Sequence, residues 1–454
     1  MYRAPDFFER YNVCRISVNH YSNYHVTAQY NQTISRSLLS NALKQLILHH
    51  PALYYGVKLN PKLIDYKTYQ NHQVGPVKSI SFEDVVTISD KPFSEERLVE
   101  INHLCIPVDD ENSVTWRIIV FSNNYICLYS NHIIIDGGAA AFFHHDLCAI
   151  LAELSSQHLE FVPELYNQQV DGVKQHLGTD HVVDLYRCTS KLQAMSMVVA
   201  SFIPKSVTQL WNSYTNKHYP DLQKFPLFEC EQRKVIDDEF RLFQIPDETM
   251  TRLLAKCRQE GVTFTAFLDV LINHCFQKCV FPLISSQKLS TKSSIVTSGR
   301  RYYPEKAAEL RYAQVVTGTE IYLPPIESVS VEAMKVVKQI IDTDLETRNR
   351  FKYVGLLSMI NPYDILAPEK TEFHQDVLFE ISNLGLQNIK NGDWAVSDIV
   401  FCQCTGPSTT FGFNVATTPG GTKITMGIKS QYAQSGMDEF EKAFYAGIEQ
   451  FCSR

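Results

Sequence analysis

The segment from residue 116 to residue 154 constrains the fold of this chain most strongly. Two apolar, β-prone runs, WRIIVF (116–121) and YICLYS (125–130), flank a short turn-forming segment and predict a β-hairpin. Apolar residues then recur at helical spacing from Gly137 to about Leu154. Between them, three isoleucines followed by Asp-Gly-Gly are poor helix material. The chain therefore passes from a strand through a turn into a helix, and His132 and Asp136 lie at that junction.

The rest of the chain mixes helices and strands without strict alternation. We expect a strand within 12–30 and a helix over 35–48, then helices over 246–261, 263–279 and 437–451. Further strands are expected at 294–298, 315–323, 377–382, 398–404, 411–418 and 422–429. This order predicts an α+β fold of two mixed-sheet halves rather than one doubly wound sheet. The linker-like stretch 212–226 places the boundary between an N-terminal half, 1–215, and a C-terminal half, 216–454.

Composition narrows the class of protein. The chain has 454 residues, of which 44% are hydrophobic and 20% charged, a balance typical of globular proteins. Its formal net charge of −7 gives no electrostatic reason to expect nucleic acid as a partner. Twelve cysteines without Cys-x-x-Cys spacing favour a reducing, intracellular compartment and no zinc site. Residues 1–15 have no apolar core of seven to fifteen residues, so we expect no secretory signal there, and the run 194–204 is too short to span a bilayer.

The pair His132 and Asp136 allows two interpretations. A histidine between a strand and a Gly-Gly turn is well placed to act as a general base, because glycines let a ligand approach closely. The alternative is a buried core histidine beside an aspartate that only caps the helix. A second pair of the same spacing, His176 and Asp180, lies in a polar segment and is expected to be incidental. We expect His144 and His145 to lie on a solvated or capped helix face rather than in a metal site. Hydrolase, Walker, dinucleotide-binding and zinc-protease motifs are absent from the sequence.

The segment from Asn131 to Gly137 resembles the His-x-x-x-Asp-Gly motif of the chloramphenicol-acetyltransferase-like (CAT-like) acyltransferases, which include plant BAHD enzymes and peptide-synthetase condensation domains. More narrowly, the chain resembles the fungal alcohol acetyltransferase family. The resemblance rests on FFERYN (7–12), HHPAL (49–53), TFTAFLDVL (263–271), SGRRYY (298–303), ISNLG (381–385) and FNVATTPGGTKITM (413–426). These segments occur in the family's order over nearly the whole chain.

The resemblance implies two CAT-like halves with an active-site tunnel between them. His132 would be the general base, and Asp136 would pair with an arginine, Arg300 first and Arg301 second. Gly137 would leave room beside the histidine. Ser382, Asn383, Gly385 and Gln403 would line the tunnel or bind substrate. Acetyl-CoA would be the co-substrate, and no metal is implied.

The resemblance also has departures and leaves alternatives open. Condensation domains carry two adjacent histidines, whereas the first position here is Asn131, and the Asp-Phe-Gly-Trp-Gly motif of plant members has no clean match. No oxyanion donor follows from the sequence. The leading expectation is an O-acetyltransferase that makes acetate esters from alcohols. The alternatives are an N-acetyltransferase acting on a lipid-like amine and a non-catalytic binding protein of the same fold.

Location and assembly are expectations of the same kind. We expect a cytoplasmic monomer, and the resemblance leaves open a peripheral association with the endoplasmic reticulum or lipid droplets. In the terminal helix 437–451, Phe440, Phe444, Ile448 and Phe451 share one stripe and the polar face is net acidic. Because membrane-surface helices usually carry a cationic polar face, we expect this helix to pack in the core.

Overall fold

A computed structural model describes residues 2–17, 23–58, 72–106, 113–176, 182–187, 238–286, 288–362, 377–405, 409–429 and 436–453, with a few single positions between these ranges. The proposed domain boundary at 215/216 lies outside the described residues. The helices are α1 (Phe7–Ser17), α2 (Arg36–His49), α3 (Phe82–Val85), α4 (Arg97–Asn102), α5 (Gly137–Leu154), α6 (Gln168–Asp171), α7 (Val183–Tyr186), α8 (Asp247–Glu260), α9 (Phe264–Cys275), α10 (Val331–Thr347), α11 (Asn349–Gly355) and α12 (Met437–Ser453).

The strands number from β1 to β16 in the described part of the chain. They are β1 (Asn23–Tyr30), β2 (Tyr55–Lys58), β3 (Gln73–Pro76), β4 (Ser79–Ser81), β5 (Val86–Ile88), β6 (Trp116–Val120), β7 (Tyr125–Asn131), β8 (Glu164–Asn167), β9 (Asp238–Pro246), β10 (Thr291–Ser298), β11 (Val316–Leu323), β12 (Val377–Leu386), β13 (Lys390–Asn391), β14 (Trp394–Gln403), β15 (Thr409–Thr418) and β16 (Gly421–Lys429).

Two six-stranded mixed sheets organise these elements. The first has the order β13-β14-β1-β7-β6-β5 and the second the order β11-β10-β12-β15-β16-β9. Strands β6 and β7 are antiparallel, as expected of the predicted hairpin, whereas β10, β12 and β15 are parallel neighbours. The predicted α+β class with two mixed-sheet halves is therefore confirmed.

Each sheet buries one face under helices. Residues of α2 and α5 pack on the first sheet around side chains such as Val26 and Leu128. Residues of α8, α9 and α12 pack on the second sheet around Phe413 and Met426. The terminal helix α12 buries Phe440, Phe444, Ile448 and Phe451 in that core, as expected.

Strand β14 connects the two halves of the sequence. By sequence it belongs to the C-terminal half, yet it pairs with β1 along seven positions of the first sheet. It also contacts β15 and β16 of the second sheet. Within the first sheet, Asp398 of β14 accepts a hydrogen bond from the Tyr125 hydroxyl of β7 at 2.6 Å. Asp398 also pairs with Lys423 of β16 in the second sheet. The two halves are therefore tied together by hydrogen bonds as well as by packing.

The start that was predicted for the first strand is wrong. The strand predicted within 12–30 begins only at Asn23, because residues 12–17 continue helix α1. Asp6 starts this helix by accepting hydrogen bonds from the backbone N–H groups of Phe8 and Glu9 at 2.9 and 2.8 Å. A local cap therefore outweighs the β-prone valine and isoleucine at 13 and 16.

Candidate active site

His132 lies in the turn that joins strand β7 to helix α5. The strand ends at Asn131, whose side-chain oxygen accepts a hydrogen bond from the Ile133 backbone N–H at 3.1 Å and so stabilises the turn. Ile133, Ile134 and Ile135 are buried in the first core and anchor the turn from below. His132 itself is half-buried. The three isoleucines thus hold the turn from which His132 projects.

Tyr24 of β1 fixes one side of the histidine. Its ring stacks on the His132 imidazole, with 4.2 Å between ring centroids and 22° between planes. Its hydroxyl donates to the carbonyl oxygens of Ile135 and Asp136 at 3.0 and 3.1 Å. One tyrosine therefore holds both the ring and the backbone that follows it.

Asp136 holds the turn from the other side. Its Oδ1 accepts the Ala139 backbone N–H at 2.9 Å, which caps α5, and its Oδ2 accepts the Val315 N–H at 3.0 Å. The Arg300 guanidinium donates to both oxygens, at 2.8 and 2.9 Å. Burial alone would raise the pKa of Asp136, but the Arg300 charge and these hydrogen bonds hold it below its usual range.

Arg300 is thus the partner of Asp136, and Arg301 is exposed. Arg300 also donates to the carbonyl oxygens of Leu310 and Ala313 at 2.9 and 2.6 Å. The guanidinium therefore connects the His132 turn to the segment that leads into β11.

A second ion pair, which no sequence pattern predicted, lies further along α5. Arg311 donates to the two carboxylate oxygens of Asp146 at 2.8 and 2.5 Å, and the Tyr312 hydroxyl donates to Asp146 at 2.9 Å. The aspartate that caps α5 and an aspartate within α5 are thus both bound by the segment between β10 and β11. The one local signal was the dipeptide Arg311-Tyr312, which follows an arginine-rich turn. It could not identify Asp146 as the partner, because ion-pair partners that lie far apart in sequence share no local pattern.

Gly137 leaves a space that Phe401 of β14 fills. A Cβ atom at position 137 would lie 2.9 Å from the Cζ atom of the Phe401 ring. The expected room beside the histidine is therefore occupied by an aromatic side chain that supports the turn.

The four residues expected to line a tunnel occupy different positions. Ser382 is buried in β12. The side chain of Asn383 donates to the Thr265 hydroxyl of α9 at 3.2 Å and accepts the backbone N–H of Gly385 at 2.8 Å, where φ is +73°. These contacts give Asn383 a part in shaping the end of the strand. Of the four, Gln403 makes a side-chain hydrogen bond with His132.

The protonation of His132 follows from its surroundings. Burial lowers its pKa to about 4, and the Arg15 charge lowers it further, against the opposing effects of Asp136 and of hydrogen bonds with Gln403 and Ile135. The imidazole is therefore neutral at pH 7 and can accept a proton. Arg15 of α1 had no recognisable signal in the sequence.

The three other histidines considered from the sequence lie in structural positions. His144 is buried, with its ring nitrogens 3.1 Å from the Tyr30 hydroxyl and 3.0 Å from the Val26 carbonyl oxygen, so the expected solvated face is wrong for this residue. His145 is 3.1 Å from the Gln387 side-chain oxygen. His176 is buried against Tyr55, and Asp180 lies outside the described residues.

Metal clusters and membrane-spanning helices are both absent from the residues that the structure describes. No cluster of three or more His, Cys, Asp or Glu side chains there has the arrangement of a metal site. No described helix combines the length and the apolar character that crossing a bilayer requires.

Comparison with known proteins places this site in a family. A sequence profile of the alcohol acetyltransferase family matches residues 6–450. The chain belongs to the alcohol acetyltransferase family. Membership makes it an acyltransferase, with a small-molecule acceptor and an acyl-CoA co-substrate. A search of curated protein sequences found no match.

Solved structures agree on the fold. The chain is similar to the TRI3 trichothecene 15-O-acetyltransferase from Fusarium sporotrichioides, with a TM-score of 0.69 at 12% identity, covering 99% of this chain and 95% of that one. The first condensation domain of the CDA synthetase matches with a TM-score of 0.61 at 12% identity, covering 100% and 96%. The polyketide synthase associated protein 5 from Mycobacterium tuberculosis matches with a TM-score of 0.62 at 12% identity, covering 99% and 97%. At these identities the likeness concerns the two-lobed fold alone.

Proposed function

We propose that this protein is an acetyl-CoA-dependent O-acetyltransferase that makes acetate esters from alcohols, with His132 as general base. The observation that carries the proposal is a neutral imidazole held between Tyr24 and the bonded pair of Asp136 and Arg300. We further propose that acetyl-CoA and the acceptor reach His132 through a tunnel between the halves. Family membership supports the reaction class, and this geometry supports the choice of residues.

In the proposed reaction His132 accepts the hydroxyl proton as the alcohol oxygen attacks the acetyl carbonyl carbon. The C–S bond of the tetrahedral intermediate then breaks, the proton passes from His132 to the departing sulfur, and free coenzyme A leaves beside the ester. Proton transfer of this kind contributes roughly 10²- to 10⁴-fold. Positioning of the two substrates must supply much of the remaining acceleration.

Asp136 serves this mechanism as a positioning residue. Its carboxylate is occupied by two backbone N–H groups and by Arg300, so it has no role as a proton acceptor. Instead it fixes the turn from which His132 projects.

The test is transfer from labelled acetyl-CoA to a mixed panel of alcohols and amines, followed by thiol release and product analysis. Ester formation that is abolished in His132→Ala supports the proposal. Amide products would favour the N-acetyltransferase alternative, and the absence of acceptor-dependent thiol release would favour a non-catalytic protein. Turnover of His132→Ala at the wild-type rate would refute the base.

The control variant is His158→Ala, because His158 is exposed in the segment that follows α5. His176, the other histidine with an aspartate four positions on, is unsuitable because it is buried. Circular dichroism and a melting curve of each variant establish that the fold is retained.

We also propose a cytoplasmic monomer whose association with the endoplasmic reticulum or lipid droplets, where it occurs, is peripheral. The burial of the apolar face of α12 supports this, since that face has no surface left for lipid. Cell fractionation with a high-salt wash tests it: protein released only by detergent would contradict a peripheral association.

A further inference from the structure

Helix α9 carries a stripe of polar side chains into the core of the second half. Thr265, Asp269 and Asn273 follow one another at intervals of four residues, and Gln277 continues the series in the turn after the helix. Residues at this spacing share one face of a helix. Asp269 and Asn273 are fully buried, although most of their neighbours in α9 belong to the apolar core. We call these four residues the polar stripe.

The polar stripe bonds α9 to two strands of the second sheet. Three of its members bond to β12, to β10 or to the residues just before β10. These bonds run from Asn383 Nδ2 to the Thr265 hydroxyl at 3.2 Å, from Asn273 Nδ2 to the Thr291 hydroxyl, and from Gln277 Nε2 to the Leu289 carbonyl oxygen at 2.5 Å. The fourth member, Asp269, has its Oδ2 atom 2.5 Å from the hydroxyl oxygen of Ser293 in β10. The polar stripe therefore fixes the position of α9 on the sheet by hydrogen bonds.

Asp269 is the titratable member of the polar stripe. Among the residues that the structure describes, no donor bonds to its buried Oδ1 atom. An ionised carboxylate spreads its charge over both oxygens, and burying such a charge without a cation or a full set of donors is costly. The neutral acid avoids this cost, since its Oδ2–H donates to the Ser293 hydroxyl and its Oδ1 is an uncharged carbonyl oxygen. The geometry therefore favours the protonated form.

The charged side chains on the sheet side of Asp269 point away from it. Because successive residues of a strand point to opposite faces, Lys292 of β10 and Glu380 of β12 lie on the face of the sheet away from α9. Lys292 pairs with Glu320 at 3.2 Å, and Glu380 accepts a hydrogen bond from Gln403 at 3.2 Å. Neither charge faces Asp269.

The helices around α9 turn apolar residues towards the core. The buried residues of α10 are Met334 and Val337. Charged residues of α8, α10 and α12 bond elsewhere or are exposed: Lys338 to Asp342 at 2.5 Å, the Thr319 hydroxyl to Asp344 at 2.6 Å, Lys256 to Glu260 at 2.7 Å, Arg252 to Glu449 at 3.1 Å, and Lys335 and Lys442 in solvent. His274 is half-buried and lies on another side of α9, five positions after Asp269.

Burial is therefore the main influence on the Asp269 carboxyl group. It raises the pKa of Asp269 to about 7, and the hydrogen bond with Ser293 opposes that rise. The thiols of Cys257 and Cys275 in the same core stay protonated, because burial raises their pKa as well. Asp269 thus changes its charge near neutral pH, where these two thiols do not.

We propose that Asp269 is a proton-sensitive contact of the second half: the neutral acid keeps α9 on β10, and loss of the proton loosens this packing. An ionised Asp269 needs water or new donors at Oδ1, and α9 must move away from the sheet to admit them. The inference does not depend on the proposed function, because it concerns the packing of one helix.

The resulting dependence of stability on pH has a definite direction. In an unfolded chain an aspartate has a pKa of about 3.9. Because the folded pKa is higher, the folded protein binds more protons than the unfolded chain between the two values, and its stability falls as pH rises through that range. The stabilising contribution of the neutral acid is full below about pH 4 and is lost once the pH has passed the folded pKa of about 7.

Infrared spectroscopy of the full-length protein tests the protonation state directly. With aspartate labelled with ¹³C at its side-chain carboxyl carbon, a protonated-acid band that shifts on labelling should be present at about pH 6 and fade with a midpoint at about pH 7. Asp269→Asn should remove this band. Ser293→Ala should keep the band and raise its midpoint, because the lost hydrogen bond favours the charged form, and it assigns the band if Asp269→Asn does not fold. A wild type without such a band at about pH 6 would overturn the proposal.

Thermal stability tests the consequence of losing the proton. Relative to Asp269→Asn, which is uncharged at this position at every pH, the wild type should lose melting temperature between about pH 5 and about pH 8 and show no further relative loss above that. Glu239→Gln, at an exposed site on β9, is the matched control and should follow the wild type. A difference in Tm between wild type and Asp269→Asn that stays constant with pH would refute the proposal, whatever the acyltransferase assay shows.

Hydrogen–deuterium exchange locates the change. After correction for the intrinsic effect of pH on exchange, the amides of α9 and β10 should exchange faster at about pH 8 than at about pH 6 in the wild type, and equally fast at both in Asp269→Asn. Acceleration confined to other elements would show that loss of the proton does not loosen this contact.

Discussion

Replacing Arg300 by methionine tests whether the ion pair with Asp136 holds the two halves and the His132 turn together. Asp136 is 1% exposed, so Arg300→Met leaves a buried carboxylate with only the Ala139 and Val315 backbone donors. It also removes the donors to the Leu310 and Ala313 carbonyl oxygens. Breaking one partner of a buried pair costs about 3–5 kcal/mol, and we take about 4 kcal/mol here.

That free energy converts into a modest shift of the melting temperature. Unfolding entropy is about 2.1 cal/mol/K per residue near the midpoint, which gives roughly 1 kcal/mol/K for this chain if it unfolds as one unit. A loss of about 4 kcal/mol then lowers Tm by about 4 °C, and by about twice that if one half unfolds by itself. Differential scanning calorimetry at neutral pH measures it, and acetyl transfer should fall strongly because the turn that carries His132 loosens.

The difference in Tm between wild type and Arg300→Met should depend on pH, in a direction that follows from the pKa of Asp136. In the wild type the folded pKa of Asp136 lies below its unfolded value, so the stability from the pair is present above pH 4 and is lost as pH falls through the folded pKa. In Arg300→Met burial dominates and raises that pKa, so protonation relieves the defect. The difference in Tm between wild type and variant should therefore shrink as pH is lowered from 7 towards about 4.

Two further variants complete the test. Arg301→Met changes the exposed neighbour and should melt like the wild type. Adding Asp136→Asn to Arg300→Met removes the unpaired charge and should restore part of the lost stability. A Tm of Arg300→Met within about 1 °C of the wild type, or a double variant less stable than Arg300→Met alone, would refute the reasoning.

Four other predictions follow from the same structure. Gly137→Ala should cost about 1–3 kcal/mol in chemical denaturation because its new Cβ meets the Phe401 ring, and an unchanged midpoint would mean that the turn shifts freely. Phe444→Ala should lower the free energy of unfolding by about 3–5 kcal/mol. Deletion of residues 437–454 should yield insoluble protein, and a folded, active truncation would contradict the core role of α12. The acidic limb of kcat/KM that belongs to His132 should lie near pH 4, since only the neutral imidazole accepts a proton, so a limb near pH 6.5 would argue against that assignment. Dialysis against EDTA should leave the rate unchanged.

Local features of the sequence predicted much of the fold. The turn from strand to helix at 131–137 was predictable because the isoleucine run, the capping Asp136 and the glycines act over a few residues. Helix α2 was predictable from one apolar stripe that begins after Ser35, whose side chain accepts the Leu38 N–H.

Features that depend on contacts between distant residues were not predictable in this way. Nothing near Gln403 indicates that it bonds both Glu380 and His132, because the three residues lie on strands and turns from different halves. His176 lies in a polar segment of the sequence, which gives no indication that it is buried against Tyr55. Arg300 was predictable from the resemblance to a family rather than from any local pattern.

The pairing of strand β14 with β1 has a consequence for the synthesis and folding of the protein. Ser397 of β14 donates to the Gln29 carbonyl oxygen of β1, 368 positions earlier in the chain. During synthesis, β1 therefore emerges long before its partner, with one hydrogen-bonding edge unpaired and open to aggregation. The first sheet stays incomplete until almost nine-tenths of the chain has been translated. Since Gln403 arrives on that same strand, the last strand to join the first sheet is also the one that completes the surroundings of His132.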